Sequence, residues 1–195
     1  MVVDPLNLNQ TILAEGKTMN QKPTNQRFST KILSEIIVLV AMAGALSLFS
    51  YSLSGWPQGG SINLGMLPIF WLAYRRGPKI GIFAGAVFGV VDLAIEPFVL
   101  NPAQFILDYP LAFALLGVAG FFRKIPVVGV IVGGTGRFIS HFVSGVIYWS
   151  YLAPPGWSPV AYSLAYNGGY MLPSTIVCAV IIGILQKTDT INIHL

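Results

Sequence analysis

Charge is what this chain has least of. Only 9% of its 195 residues are Asp, Glu, Lys or Arg, against 54% hydrophobic. Soluble domains carry about 25% charged residues, so a water-soluble globule is excluded and an integral membrane protein is indicated. Cysteine is almost absent. The single Cys178 excludes an internal disulfide and a cysteine metal cluster, and its neighbours, IVCAVII, mark it as a packed, inert thiol. The two histidines, His141 and His194, are too few for a multi-histidine metal site. The run GGTGR at 133–137 lacks the GxxxxGK[ST] spacing and lies in an apolar segment, so it is not read as a phosphate loop. A GxSx(G/A) nucleophile motif is also missing. Ser140, His141 and Ser144 share one helix, where the adjacent Ser and His point different ways, which leaves a membrane enzyme such as an intramembrane protease as a minor alternative. The net charge of +4 suggests nucleic acid at first sight, but the basic residues flank apolar runs, as membrane topology requires.

What is present is a series of apolar runs. A span needs about 20 such residues, and the series predicts six, at about 32–53, 61–74, 78–95, 102–122, 127–151 and 159–186. The second is short. Residues 1–29 are polar and rich in Asn, Gln and Thr, and read as a disordered tail rather than a signal peptide. The expected organisation is therefore a cytoplasmic N-terminal tail at 1–29, one membrane domain at 30–188 and a cytoplasmic C-terminal tail at 189–195. Orientation follows from Lys and Arg. Lys17, Lys22, Arg27 and Lys31 precede the first span, Arg75, Arg76 and Lys79 follow the second, Arg123 and Lys124 follow the fourth, and Lys187 follows the sixth. The loops near 54–60, 96–101 and 152–158 contain no Lys or Arg. Both termini are then expected in the cytoplasm, with an even number of spans.

The remaining basic residue, Arg137, lies inside the fifth span. Residues four apart share a helix face, and steps of four from Arg137 give His141, Gly145 and Trp149. A charge at mid-membrane costs about 2.5–3.5 kcal/mol on insertion scales and should face a cavity or a partner. At 1.5 Å per residue, Arg137 sits roughly 15 Å into its span. Asp108 and Tyr109 on the fourth span, and Tyr162, Tyr166 and Asn167 on the sixth, come to a similar outer depth, and Trp56 in the first outer loop can hang over the same place. One reading of Asp108 and Arg137 is a buried ion pair that fixes helix packing. The other is a pocket for a small polar ligand with an aromatic part. Asp108 would answer a cationic or amino group, the rings would stack, and Arg137, His141, Tyr162 and Asn167 would supply hydrogen bonds. Asp92 and Glu96, near the outer end of the third span, read as interfacial, with an inward turn of Asp92 left open. Met42, Met66 and Met171 read as packing residues, and His194 as tail.

With these residues in view, the chain resembles the thiamine-specific substrate-binding S components of energy-coupling factor (ECF) vitamin transporters. Two blocks carry the likeness: QFILDYPLAFALLGVAGFFR at 104–123, and RFISHFVSGVIYWSYLAPPGWSPVAYSLAYNG at 137–168, with its AYSLAxNG signature. A weaker match is GW at 55–56 followed by PIFWLAYRRG at 68–77. The resemblance covers about residues 30–187 and implies an all-α, six-transmembrane-helix S-component fold in the plasma membrane, with both termini cytoplasmic and an outward-facing thiamine pocket. It implies that Trp56 covers the ligand, that Asp108 answers the cationic ligand beside Tyr109, and that Arg137, His141, Gly145 and Trp149 form the fifth-span wall, with Trp149 stacking. Tyr162 and Asn167 form the implied hydrogen-bonding pair. In the family the acid can be Glu and the basic residue Lys; Asp108 and Arg137 keep the charge and change reach and shape.

The implied function is capture of extracellular thiamine for uptake driven by ATP. The chain is then not an enzyme and uses no cofactor; a transmembrane coupling subunit and two ATPase subunits would be its partners. Ala41 and Ala45 on the first span form A-x-x-x-A, which permits close helix approach. That pair fits internal packing as well as docking, and the resemblance favours docking. An S component for riboflavin or biotin is the other transport reading.

Overall fold

Proline opens five of the helices. Its ring pre-sets the helical φ, and the N–H it lacks would have no partner in a first turn. The computed structural model describes residues 29–54 and 60–188. Helix α1 spans Thr30–Ser54, α2 Met66–Arg76, α3 Pro78–Ile95, α4 Pro102–Asp108, α5 Pro110–Leu116, α6 Pro126–Tyr148 and α7 Pro159–Lys187. Short 3-10 segments follow α5 at Gly117–Phe122 and α6 at Ser150–Leu152. No strand occurs among the described residues. The expected tails, Trp56 and His194 lie outside the described residues. The chain divides into units Met1–Ser34 and Glu35–Leu195. The described part of the first is the opening turn of α1, where the Ser34 hydroxyl donates to the Thr30 carbonyl at 2.9 Å. The rest of α1 and all later helices belong to the second unit.

Five stretches are long and apolar enough to cross a membrane: Thr30–Ser50, Pro78–Ile95, Pro102–Phe122, Pro126–Tyr148 and Pro159–Lys187. Their outward faces carry large apolar side chains such as Val38, Phe49, Ile147, Leu164 and Leu172, all more than half exposed, as a lipid-facing surface requires. Two of the six expected spans differ from a plain helix. The second does not start near 61. Residues 60–65 are non-helical, because their backbone N–H groups go to side chains: Gly60 to Glu96, Asn63 to Ser174, Leu64 to Ser50 and Gly65 to Asn63. The 11-residue helix α2 comes next, and about 16 Å of helix does not cross a bilayer core by itself. Its side chains instead fill the core; Met66, Ile69, Phe70, Leu72 and Ala73 are fully buried. The Tyr74 hydroxyl donates to the Pro126 carbonyl at 2.5 Å, which ties α2 to the start of α6.

The fourth expected span is broken at Tyr109, whose φ of −116° and ψ of −87° cap α4 and precede α5. Pro110 is the cause: it cannot donate into the helix and it restricts the residue before it. The break is held by close packing. Gly81, Gly85 and Gly89 form a stripe on α3, and a Cβ at Gly85 or Gly89 would strike the backbone carbonyl of Phe113 or Tyr109. Small residues at this spacing let two membrane segments touch backbone to backbone.

At the far end of α2, Arg75 and Arg76 both reach Glu35 of α1, at 2.7 and 2.6 Å. Elsewhere on α1, Ala41 and Ala45 are exposed, so packing against another described span of this chain does not account for them. Met66 and Met171 are buried as expected, but Met42 is 45% exposed on α1 and is not a packing residue of this body.

Candidate functional site

The break between α4 and α5 turns Asp108 towards α6, and four donors meet its carboxylate. His141 Nδ1 lies 3.3 Å from Oδ1. Gln104 Nε2 donates to Oδ2 at 2.5 Å, the Ser144 hydroxyl at 2.9 Å and the Trp149 indole N–H at 3.3 Å. Ser140, one turn before Ser144, donates to the Leu107 carbonyl at 2.6 Å and pins α6 to the end of α4. Both serines of this helix are thus occupied in structural bonds.

Arg137 does not form the ion pair with Asp108 that one of the two readings required. Its guanidinium carbon sits 4.1 Å from the centre of the Phe113 ring, and Asp108 is paired with His141 instead. The reason is geometric: Asp108 is already met by donors from the next two turns of α6, while Phe113 offers Arg137 the face of a ring, where a cation is stabilised by the quadrupole. Arg137 is 3% exposed. Its Nε and Nη1, together with His141 Nε2, are buried with no hydrogen-bond partner among the described residues. Buried polar atoms are rarely left unmet, so these three nitrogens ask for partners that the described residues do not supply: acceptors for the two Arg137 N–H groups and, while the imidazole is neutral with Nδ1 donating, a donor for His141 Nε2.

Helix α7 contributes a ladder of rings. Tyr162, Tyr166 and Tyr170 recur at four-residue steps, with centroids 5.7 and 6.0 Å apart. The last meets His141 edge-on at 6.3 Å. Tyr170 donates to Asn167 Oδ1 at 2.8 Å, and Asn167 Nδ2 donates to the Ser163 carbonyl at 3.0 Å. The Ser163 hydroxyl donates to the Phe142 carbonyl at 2.8 Å. The last of these bonds seats α7 on α6 where Gly145 leaves room, since a Cβ there would collide with the Ser163 hydroxyl.

The two acids at the end of α3 correct the interfacial reading. Asp92 is 4% and Glu96 5% exposed, and both line the same pocket as Asp108. Asp92 accepts from the Ser47 hydroxyl at 2.5 Å and from Asn63 Nδ2 at 3.4 Å, which links the pocket to α1. Glu96 accepts the Gly60 N–H at 2.6 Å and the Ser61 hydroxyl at 2.9 Å. Its backbone carbonyl accepts the Tyr109 hydroxyl, which itself accepts the Phe98 N–H at 2.9 Å. Glu96 turns inward because residues 60–65 run beside it as open backbone, where the Gly60 N–H is available to it; a helix there would have used that group itself. Asp92 is met by side-chain donors, the Ser47 hydroxyl and the Asn63 amide.

One pocket gathers these groups. Of the expected residues, Asp108, Tyr109, Arg137, His141, Gly145, Trp149, Tyr162 and Asn167 line it. Ala41 and Ala45 lie elsewhere, on α1. Gly60, Asp92, Glu96, Ser163, Tyr166 and Tyr170 line it as well. Tyr166 is placed at the pocket's depth by the sequence; Tyr170 was readable from its spacing to Tyr162 and Tyr166, and Gln104 from its place one turn before Asp108. Ser163 lies one turn before Asn167 on the same face of α7, which was its only signal. The walls combine rings, buried donors and carboxylates around a space bounded by four helices. Such an arrangement suits a small, flat, cationic molecule with ring acceptors.

The thiamine transporter protein family (Thia_YuaJ) matches residues 33–193. The chain belongs to this family. Thiamine transporter ThiT of Bacillus subtilis (strain 168) is 36% identical over 181 residues, covering 84% of this chain and 94% of that protein. Thiamine transporter ThiT of Lacticaseibacillus paracasei is 34% identical over 174 residues, covering 79% and 86%. A solved structure of ThiT from Listeria monocytogenes superposes with a TM-score of 0.71 at 31% identity, covering 82% of this chain and 94% of that one. The all-helical membrane fold is therefore the one that family member has. Like the relatives it matches, the chain is a multi-pass cell-membrane transport protein and not an enzyme.

Proposed function

We propose that this chain is the thiamine-binding S component of an ECF transporter, which captures thiamine with high affinity at the outer surface for ATP-driven uptake by a partner module. Thiamine joins an aminopyrimidine to a permanently positive thiazolium. One observation carries the reading: a pocket of aromatic rings and carboxylates also holds the unmet nitrogens of Arg137 and His141. Ring nitrogens of an aminopyrimidine are acceptors of the kind the Arg137 N–H groups lack, and its amino group is a donor of the kind a neutral His141 Nε2 lacks. Asp108, held in place by His141, Gln104 and Ser144, offers an oxygen to an exocyclic amine. Trp149, Tyr162 and Tyr109 supply ring faces, Asn167 an amide, and Gly145 the space for a flat ring to approach the backbone. Trp56 is the residue that would cover the ligand.

The distribution of Lys and Arg supports cytoplasmic termini. The pocket end of α3, at Asp92 and Glu96, then faces outward, and Lys79 at its start faces inward. The chain carries no ATPase motif, so uptake needs a transmembrane coupling subunit and two ATPase subunits. The exposed Ala41 and Ala45 on α1 support docking through that helix.

Tryptophan fluorescence of the purified protein, titrated with thiamine, riboflavin and biotin, tests the ligand. Saturable quenching by thiamine alone is expected. Quenching by riboflavin or biotin instead would assign the same fold to another vitamin.

A further inference from the structure

Helices α6 and α7 run antiparallel, and three close approaches fix their register. A Cβ at Gly145 would meet Ser163, one at Gly134 would meet Thr175, and one at Gly183 would meet Val127. The seam is closed at Gly145 and Ser163. Towards the start of α6 it opens into an apolar groove of about 870 Å³, a volume within the range of small-molecule sites. Val127, Ile131 and Phe138 form one wall, and Leu172, Ile176 and Val180 the other. The second wall is more than half exposed, so the groove faces the membrane. No charged or amide side chain lines it. The Thr175 hydroxyl is spent on the Met171 carbonyl at 2.9 Å. Small residues make the floor: Gly134 lets Thr175 close it from behind, and a Cβ at Gly168 would meet nothing within 4 Å. Two lysines stand at one end. Lys187 lies on the stripe of α7 that carries Ile176 and Val180. Lys124 lies just before Val127, which is level with Gly183, one turn short of Lys187. Both lysines are exposed. The ion pairs of the described residues use Glu35 and Asp108, and neither acid meets these lysines. Asp189 lies outside the described residues.

We propose that this groove is a site for one anionic phospholipid of the cytoplasmic leaflet, with an acyl chain between α6 and α7 and its phosphate at Lys124 and Lys187. Length decides the occupant. The hydrocarbon core is about 30 Å thick, so one leaflet supplies about 15 Å. From Val127 to Phe138 the groove runs about 16 Å along α6, which is one leaflet. A partner's transmembrane helix would need the whole seam, and the seam is shut at Gly145. Charge agrees with length: basic side chains beside a gap between membrane helices hold anionic head groups on the cytoplasmic side. The site shares no residue with the pocket around Asp108, so it goes beyond the thiamine reading and does not depend on it. The choice of leaflet follows from the orientation that Lys and Arg support.

The test takes the purified protein from vesicles of equal parts phosphatidylglycerol and phosphatidylcholine with the same acyl chains, and counts retained lipid by native mass spectrometry. Wild type is expected to retain one phosphatidylglycerol in clear preference to phosphatidylcholine. A lysine beside an anionic surface is worth roughly fivefold in affinity. The double variant Lys124→Gln, Lys187→Gln should therefore lose about twentyfold of that preference. Gly168→Phe points a ring into the groove and should lose the retained lipid of either kind. Thermal unfolding checks that each variant is folded, and the preference of the wild type needs no variant at all. Equal retention of the two lipids by wild type, or retention of neither, overturns the proposal. So does a retained lipid that Gly168→Phe leaves in place. A dimer mass that replaces the lipid and is lost in Gly168→Phe gives the groove to a second copy of the chain. Loss of cellular uptake in Gly168→Phe, with no lipid on the wild type, gives it to a helix of a partner subunit. Either result overturns the lipid site. A wild type that retains phosphatidylglycerol but binds no thiamine supports this site and sinks the thiamine reading instead.

Discussion

His141 Nδ1 stands 3.3 Å from Asp108 Oδ1 while His141 Nε2 is buried with no partner among the described residues. One ring nitrogen is spent on fixing the carboxylate, and the other is left for something else. The Nδ1 bond sets the tautomer: a neutral imidazole that donates through Nδ1 presents Nε2 as an acceptor, and only the protonated ring presents it as a donor. The acid and the base are therefore one unit, and either substitution should disturb the other.

Asp108→Ala and His141→Ala are expected to weaken thiamine by a similar factor, each of about 2–5 kcal/mol for a buried hydrogen-bonded charge. The double variant should be much less than additive, because removing either partner already disables the other. Isothermal titration of the four proteins measures the coupling. Additive losses would show that the two side chains act separately.

Arg137 invites a different experiment. It is buried on Phe113 with two N–H groups unmet among the described residues. A buried cation of this kind is unfavourable in the empty protein. Arg137→Met keeps the length and the contact with Phe113 and removes the charge. The empty variant is expected to unfold at a higher temperature than wild type, while added thiamine raises its Tm far less. Such opposition between stability and function is common where a site is strained for its ligand. A lower Tm for the empty variant would show that Arg137 stabilises the fold.

How far the sequence reaches is visible in the fourth span and in Glu96. Hydropathy marks 102–122 as one apolar run and has no term for the break at Tyr109. Pro110 was in plain sight, but proline within membrane helices is common enough that it does not by itself announce a break. The long helices α3, α6 and α7 begin and end within a few residues of the expected limits, since proline starts and apolar lengths are local properties. The faces of α6 were equally legible from four-residue steps. The inward turn of Asp92 and Glu96 was not, because it depends on residues 60–65 running beside them. That is a relation between segments more than 25 positions apart, and periodicity cannot carry it.

Gly145 is a tolerance limit at the α6–α7 seam. A Cβ there would run into the Ser163 hydroxyl and come within 3.0 Å of Asn167 Nδ2. Gly145→Ala is expected to lower stability by about 1–3 kcal/mol, the range for overpacking, and to weaken thiamine because Asn167 must move. Pairing it with Ser163→Gly removes the first obstacle and should recover part of the Tm. Thermal unfolding in detergent, with and without thiamine, separates the two effects. No recovery in the pair would place the strain at Asn167 rather than at Ser163.

Binding and uptake should come apart on α1. Ala41 and Ala45 are exposed and face away from the pocket side of the helix, where Ser47 meets Asp92. Small residues four apart let another helix come close, and a bulky side chain at either position keeps it away. Ala41→Trp and Ala45→Trp are therefore expected to bind thiamine as wild type does in purified form, within about twofold, because neither touches the pocket. In cells that depend on this chain for thiamine, with the proposed ECF module supplying the energy, the same variants should lose most uptake. Leucine, which is smaller, should give an intermediate loss, whereas Ile37→Leu at an exposed apolar position of the same helix should cost nothing. Full uptake by both tryptophan variants would move the docking surface to another face of the bundle, and loss of binding in purified protein would mean that α1 shapes the pocket through Ser47.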